Sequence, residues 1–297
     1  MKGNFESTIF ALSTNFAQSA IAVFRISGSE CKKIAKSICK IQKLKERYVH
    51  YSKIRDLKSN LIDKGLIIYF KSPKSYTGED LLEIHVHGSI AIIKKLTHVL
   101  SKMHNTRAAQ PGEFSKRAFY NGKADLLHFE GINNLINAET ENQRIIANKQ
   151  VYGENSKKCA DWGTRILENL AIIDASIEFA DDTDDIEYKK LITNIENIKN
   201  ETQSICDNYE NAKSLMYGSQ ILIVGPTNAG KSSLFNFILQ KNQMIVSSQK
   251  GTTTDLSEQS LEIFGQKVNI IDSAGIRNSG KIIEKQGVYK TFEKLDE

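Results

Sequence analysis

Cysteine is scarce and scattered: Cys31, Cys39, Cys159 and Cys206 form no C-x-x-C pair and no metal-ligand spacing. That excludes a disulfide framework and leaves four reduced thiols, expected half-buried. Long apolar runs are missing too, none approaching the ~18 residues of a membrane span. The opening MKGNFEST, interrupted by Glu6, does not read as a signal peptide, so the expected location is the cytoplasm, with no membrane partner. Charge of one sign is in short supply: 40 Lys and Arg against 35 Asp and Glu leave a formal +5, a weak pull toward anionic partners. With 297 residues, 40% hydrophobic and 25% charged, the chain is ordinary globular material for about two or three domains.

What is present centres on residues 220–239, QILIVGPTNAGKSSLFNFIL. A β-branched apolar run, a Gly-rich turn and an amphipathic segment predict strand, loop and helix. Gly225, Gly230, Lys231 and Ser232 have the Gly-x4-Gly-Lys-Ser/Thr spacing. In that arrangement backbone N–H groups wrap phosphates, the Lys reaches the β- and γ-phosphates and the hydroxyl ligates Mg²⁺, with the helix N-terminus adding its dipole.

Upstream, residues 1 to about 118 mix short strands and helices. Residues 21–27, 65–70 and 80–87 read as strands. A helix follows Ser29 as N-cap with Ile34, Ala35 and Ile38 on one face, and a second covers 90–100. This is an α+β unit rather than a βαβ series. Arg25 is a cation inside an apolar strand, and it either pairs with a carboxylate such as Glu83 or lines a pocket that grips an anionic or polar ligand. His85 and His87 share a strand face, yet no third zinc ligand stands at a sensible spacing. Pro111 opens a helix with Phe114, Ala118 and Phe119 on one face, closed by Asn121 and Gly122.

From Leu126 to about Ser214 Gly and Pro nearly vanish, and Leu135, Ile136, Ile145, Ile146, Leu167, Leu170, Ile173 and Ile177 recur at helical spacing, predicting three or four long helices. The acidic break at 181–185 lacks the Gly and terminal Glu of a calcium loop and reads as a capping turn.

Beyond the phosphate loop, QKGTTTD at 249–255 and IIDSAG at 270–275 follow in the order a nucleoside-triphosphate switch requires. Ser232 and Thr253 are assigned to Mg²⁺, Asp272 to the layer behind it and Gly275 to the γ-phosphate. The next residue, Ile276, cannot hydrogen-bond a water, so hydrolysis needs another arrangement. A monovalent cation near Asn228 and a carboxylate such as Glu284, acting through a bridging water, could provide it.

These motifs resemble the MnmE (TrmE) family of tRNA-modifying GTPases over essentially the whole chain. The matching stretches are IAVFRISG ending at Gly28, TGEDLLE at 77–83, PGEFSKRAFYNGKADL at 111–126, GPTNAGKSS at 225–233 and GTTTD at 251–255. The resemblance implies a multidomain α/β protein. Residues 1–118 would form a tetrahydrofolate-binding-like, dimerising domain, 119–215 a helical domain and 216–297 a partial P-loop GTPase domain. It implies 5-formyltetrahydrofolate held by Arg25, Glu83 and Lys123, and a potassium site of Asn228, Ser247, Gln249 and Thr252. The implied GTP site comprises Asn228, Ala229, Gly230, Lys231, Ser232 and Ser233, then Ser247, Ser248, Gln249, Lys250, Gly251, Thr252 and Thr253, then Asp272, Ser273, Ala274 and Gly275. Glu284 matches the catalytic carboxylate, with Lys231 beside it in catalysis. It further implies a homodimer working with an FAD-dependent partner as a heterotetramer, on the wobble uridine of tRNA at carbon 5.

There are departures. Thr254 stands for the family's switch Arg, Ser273 for a Thr, and Pro226 follows the first loop Gly. The sequence stops at Glu297, before an Asn-Lys-x-Asp segment that reads guanine, so a truncated nucleotide domain with three strands (220–224, 259–264, 267–271) is expected. On that expectation 1–118 folds and dimerises while 216–297 is loosely held. A folate-binding dimeric scaffold, or a non-functional fragment without GTP turnover, is the alternative.

Overall fold

The computed structural model describes residues 5–178, 188–223, 229–241, 243–244 and 258–272. The chain divides into two compact units, Met1–Phe129 and Glu130–Glu297.

In the first unit the elements run β1 (Thr8–Leu12), β2 (Ser19–Ser27), α1 (Cys31–Ile38), β3 (Val49–Arg55), β4 (Leu61–Phe70), β5 (Leu81–Gly88), α2 (Ile90–Ser101), β6 (Thr106–Ala108) and α3 (Glu113–Tyr120). They build one six-stranded sheet in the order β3-β4-β5-β2-β1-β6. All pairs are antiparallel except β1 with β6. Alternate residues of the central strands, among them Phe24, Ile26, Ile67 and Ile84, meet Ile34 and Ile38 of α1 and Leu96 and Val99 of α2 in one core. Each such buried side chain contributes roughly 1.5–3 kcal/mol. The α+β reading is therefore the observed one, although β1, β3 and β6 escaped it.

Three local expectations are corrected. Helix α1 begins at Cys31 with Glu30, not Ser29, at its N-cap and no side-chain cap. The N–H of Glu30 instead donates to the buried Thr8 hydroxyl at 3.0 Å. Helix α3 starts after Gly112, and the face it buries is Glu113, Arg117 and Ala118, whereas Phe119 is 46% exposed. Ion pairs rather than an apolar stripe fasten it. The thiols are not half-buried: Cys31 and Cys39 are buried, Cys159 and Cys206 exposed. Burial pushes the Cys39 thiol up to about 12.

Helix α4 (Leu126–Ile136) spans the division between the units. In the second unit α5 (Glu141–Val151), α6 (Glu154–Glu178), α7 (Tyr188–Asp207) and α8 (Tyr209–Tyr217) follow, so the Gly- and Pro-poor stretch makes five helices among the described residues. Trp162 and Arg165 of α6 bind Glu201 of α7, while Asn169 meets Asn194, which makes α6 and α7 an antiparallel pair. Several residues of the periodic pattern, including Leu167, Leu170 and Ile177, lie exposed. The acidic break at 181–185 is outside the described residues. No helix among the described residues is long and apolar enough to cross a membrane.

The unit closes with β7 (Ser219–Ile223), α9 (Lys231–Lys241), β8 (Gln243–Met244), β9 (Glu258–Ile263) and β10 (Gln266–Asp272), forming a sheet of order β7-β10-β9-β8. The three expected strands are present within a residue or two, with β8 added. Phe235 of α9 packs with Leu261, Val268 and Ile270. Strand β7 lies at the edge of this sheet among the described residues, with Ile221 45% exposed.

Candidate functional site

The phosphate-loop reading rests on how β7, α9 and β10 meet. β7 runs parallel to β10, with Ile223 opposite Asp272, so the chain leaves both strands at the same end. Crevices at the carboxyl ends of parallel strands are where open α/β sheets bind ligands. Gly230 has a φ of 81°, and a Cβ added there would meet no heavy atom within 4 Å. Its carbonyl accepts the N–H of Leu234 at 2.9 Å, the first turn of α9. A helix start aims N–H groups and the positive dipole end outward, which suits a phosphate. Ala229, Gly230, Lys231, Ser232 and Ser233 are thus brought to one helix start, with Lys231 partly buried and the others exposed.

Asp272 is described only in its backbone, as the last residue of β10. Asn228, Ser247, Ser248, Gln249, Lys250, Gly251, Thr252, Thr253, Ser273, Ala274, Gly275 and Glu284 lie outside the described residues.

The strand carrying this site is tied to the helices by Gln143. Thr140 and Gln143 form a capping box at the start of α5. The Gln143 carbonyl accepts the N–H groups of Glu139 and Thr140, and its amide donates to the carbonyl of Met216, at 2.7 Å, in the last turn of α8. Gly218 links α8 to β7 at a φ of 87°, where a Cβ would lie 2.9 Å from Lys267 Cγ and 3.0 Å from its carbonyl oxygen. Lys267 in turn pairs with Glu139.

In the first unit Arg25 and Glu83 are direct neighbours on β2 and β5. Arg25 Nε and Nη2 donate to Glu83 Oε1 at 3.1 and 2.9 Å, with the side chains 30% and 17% exposed. The ion-pair alternative is therefore the observed state. His85 Nε2 lies 3.4 Å from Glu83 Oε2, and His87 is engaged by Asp63 at 3.0 Å. The guanidinium of Arg25 stands 5.2 Å from the Tyr76 ring centroid. Lys123 Nζ donates to the Pro73 carbonyl at 2.9 Å. The structure joins Arg25 to Glu83 and fastens Lys123 to the loop that carries Tyr76; no direct contact of Lys123 with the pair is found among the described residues.

That loop is braced by further residues of the same sequence motifs. Arg117, 1% exposed, donates from Nη1 to both oxygens of Glu79 and from Nη2 to Glu113 Oε1 at 3.0 Å. Ser27 donates to Glu79 at 2.7 Å and shares a 2.6 Å contact with Thr77. Asn121 donates to the Thr77 carbonyl. Arg107 holds the Glu113 carboxyl down to about 2, helped by the N–H of Gln110 and by Arg117. Glu113 and Arg117, four apart, had the helical pairing spacing as a signal; Glu79 had none.

Residues 8–123 match the family described as GTP-binding protein TrmE N-terminus, and 126–293 match the MnmE helical domain. The chain is 42% identical over 294 residues to a tRNA modification GTPase MnmE of Pelagibacter ubique, covering 97% of this chain and 66% of that protein. Its namesake in Rickettsia bellii is 39% identical over 289 residues, covering 96% and 65%. That in Aquifex aeolicus is 38% identical over 291 residues, covering 97% and 65%. The chain thus spans about two thirds of the length of these curated relatives. With one family match across more than half its residues and a second across most of the rest, the chain belongs to the MnmE (TrmE) family.

Proposed function

We propose that this chain binds and hydrolyses GTP in the service of tRNA modification. The observation that carries the reading is the shared exit of β7 and β10, Ile223 opposite Asp272, together with α9, which follows β7 in the chain, starts after Gly230 and packs Phe235 on the same sheet. In this reading Lys231 and the first-turn N–H groups of α9 hold the β- and γ-phosphates, and Gly275 meets the γ-phosphate. Ser232 and Thr253 would hold Mg²⁺ with Asp272 behind it; Asn228, Ser247, Gln249 and Thr252 would hold K⁺. These cations, when bound, supply positive charge to the phosphoryl oxygens. Glu284 orients the attacking water through a second water, the task Ile276 cannot perform.

Residues 1–118, 119–215 and 216–297 serve in this proposal as folate-binding and dimerising, helical, and nucleotide domains. Support for a folate is chemical. Arg25 and Lys123 offer cations, Glu83 an acceptor and Tyr76 a ring face within one loop-and-strand region. Arg25 and Glu83, being paired, would both meet the pterin end, the carboxylate suiting its N–H edge, while Lys123 suits the carboxylate tail. 5-Formyltetrahydrofolate, when bound, would bring a one-carbon unit at the formyl level, and its conversion to a methylene would need two electrons, which a reduced flavin of the partner subunit could give. The homodimer would act in the cytoplasm with an FAD-dependent subunit, as a heterotetramer, adding a carboxymethylaminomethyl group to carbon 5 of the wobble uridine.

The exposed edge at Ile221 favours a second reading, a dimeric folate-binding scaffold without GTP turnover. Hydrolysis of GTP by the purified chain, faster in potassium than in sodium and lost in Lys231→Ala, is the result expected from the first. Tight binding of 5-formyltetrahydrofolate with no hydrolysis in either salt selects the second.

A further inference from the structure

Positive charge is concentrated in one stretch of the sequence. Between Lys32 and Lys74 stand thirteen lysines and arginines against three carboxylates, a surplus of ten in a chain whose whole formal charge is +5. All three of those carboxylates are already engaged: Glu46 by Arg47 at 3.9 Å, Asp56 by Lys95 at 3.0 Å and Asp63 by His87. Lys43, Lys53, Lys58 and Lys64 have no ion-pair partner among the described residues. The stretch runs through α1, β3 and β4, of which β3 is the edge strand of the six-stranded sheet.

Lysine on an edge strand has an ordinary use, blocking edge-to-edge aggregation. Two features exceed it. Lys53 and Lys64 are direct cross-strand neighbours, both exposed. Like charges placed opposite each other destabilise a sheet, and an anion between them removes the penalty. Tyr48 and Tyr51, 50% and 71% exposed, interleave with the cations, and Lys45 Nζ stands 5.2 Å from the Tyr48 ring centroid. Exposed tyrosines do nothing for solubility. Cations that neutralise phosphates beside aromatic rings that stack bases are the combination that binds unpaired nucleic acid.

We propose that the β3 edge, with Lys43, Lys53, Lys58, Lys64, Tyr48 and Tyr51, is a docking surface for a single-stranded segment of RNA. It rests on the tRNA-modification reading and gives that substrate a place on the first unit. The rings favour RNA over an acidic protein, which needs only the charges.

The test is binding of the full chain to a fluorescent single-stranded RNA, across a salt series, beside poly-glutamate of equal length. The native chain should bind the RNA with a log affinity that falls steeply with log salt. Lys53→Met with Lys64→Met should flatten that slope by about one to two units. Lys43→Met with Lys58→Met, outside the strand pairing, should do the same. Tyr51→Ala should weaken binding at least about fivefold with the slope kept. Unchanged slopes in both lysine pairs, with native binding intact, overturn this surface alone. Failure of the native chain to bind any RNA overturns the surface and removes the tRNA from the wider reading. Tighter binding of poly-glutamate than of RNA overturns it in favour of an acidic protein.

Discussion

The guanidinium of Arg117 donates to both carboxylate oxygens of Glu79, a residue 38 positions earlier in the chain, from a site 1% open to solvent. One buried cation thereby fastens helix α3 to the loop before β5. Removing one partner of a buried pair leaves the other charge unpaired and costs about 3–5 kcal/mol. Arg117→Met should therefore lower the melting temperature of the first unit sharply. Unfolding followed by far-ultraviolet circular dichroism checks it, and a melt within a degree of the native chain contradicts the brace.

Acid should loosen the same region. Glu113 has its carboxyl held down to about 2 in the folded chain, chiefly by the hydrogen bond from Arg107. A depressed carboxyl contributes stability that is fully present above its unfolded value, near 4.5, and is lost as pH falls toward 2. Arg107→Gln should flatten the loss of stability between those limits. An acid titration of native and variant chains, compared by urea midpoint at each pH, measures the difference.

Gln143 offers a substitution that separates its two roles. Gln143→Glu keeps the oxygen that accepts from Glu139 and Thr140 but loses the donor to the Met216 carbonyl. The lost bond and the orphaned carbonyl should cost about 1–3 kcal/mol. Gly218→Ala, which puts a Cβ against Lys267 at a left-handed φ, should cost about 1–3 kcal/mol as well. Hydrogen exchange in β7 and β10 is the readout, and protection equal to native in both variants contradicts the linkage.

The exposed edge at β7 has a consequence for protease sensitivity. With Ile221 45% exposed and β7 paired on one side only among the described residues, 216–297 should be cut before 1–118. Limited proteolysis followed by mass spectrometry reads this directly; a C-terminal third that outlasts the first unit opposes it.

The strand and helix that flank the phosphate loop were legible because local rules agree there. The β-branched Ile221 and Ile223 favour a strand, Gly230 permits the positive φ at the helix start, and Phe235 gives the helix its inward contact. Strand β3 was not legible: at a sheet edge its outward positions carry Val49, Tyr51 and Lys53, so no clean alternation marks it. The face of α3 was misread for the opposite reason. Apolar residues normally mark the buried side, yet here Phe119 faces outward because Glu113 and Arg117 find buried partners. The Arg25–Glu83 pair lay between: its members were nameable, their contact was not.

What the sequence determined alone was local: the glycines and hydroxyls of the phosphate loop, the helical period after Leu126, and the motif order that identifies the family. The first two depend on neighbours a few residues apart, where backbone sterics and side-chain spacing decide, and the third on the order of such short motifs along the chain. Only the tertiary structure set Arg25 against Glu83, Arg117 against Glu79, Asp272 beside Ile223 and Lys53 beside Lys64. Those relationships follow from strand register and from which charges can be buried together, and both are settled by the whole packed sheet.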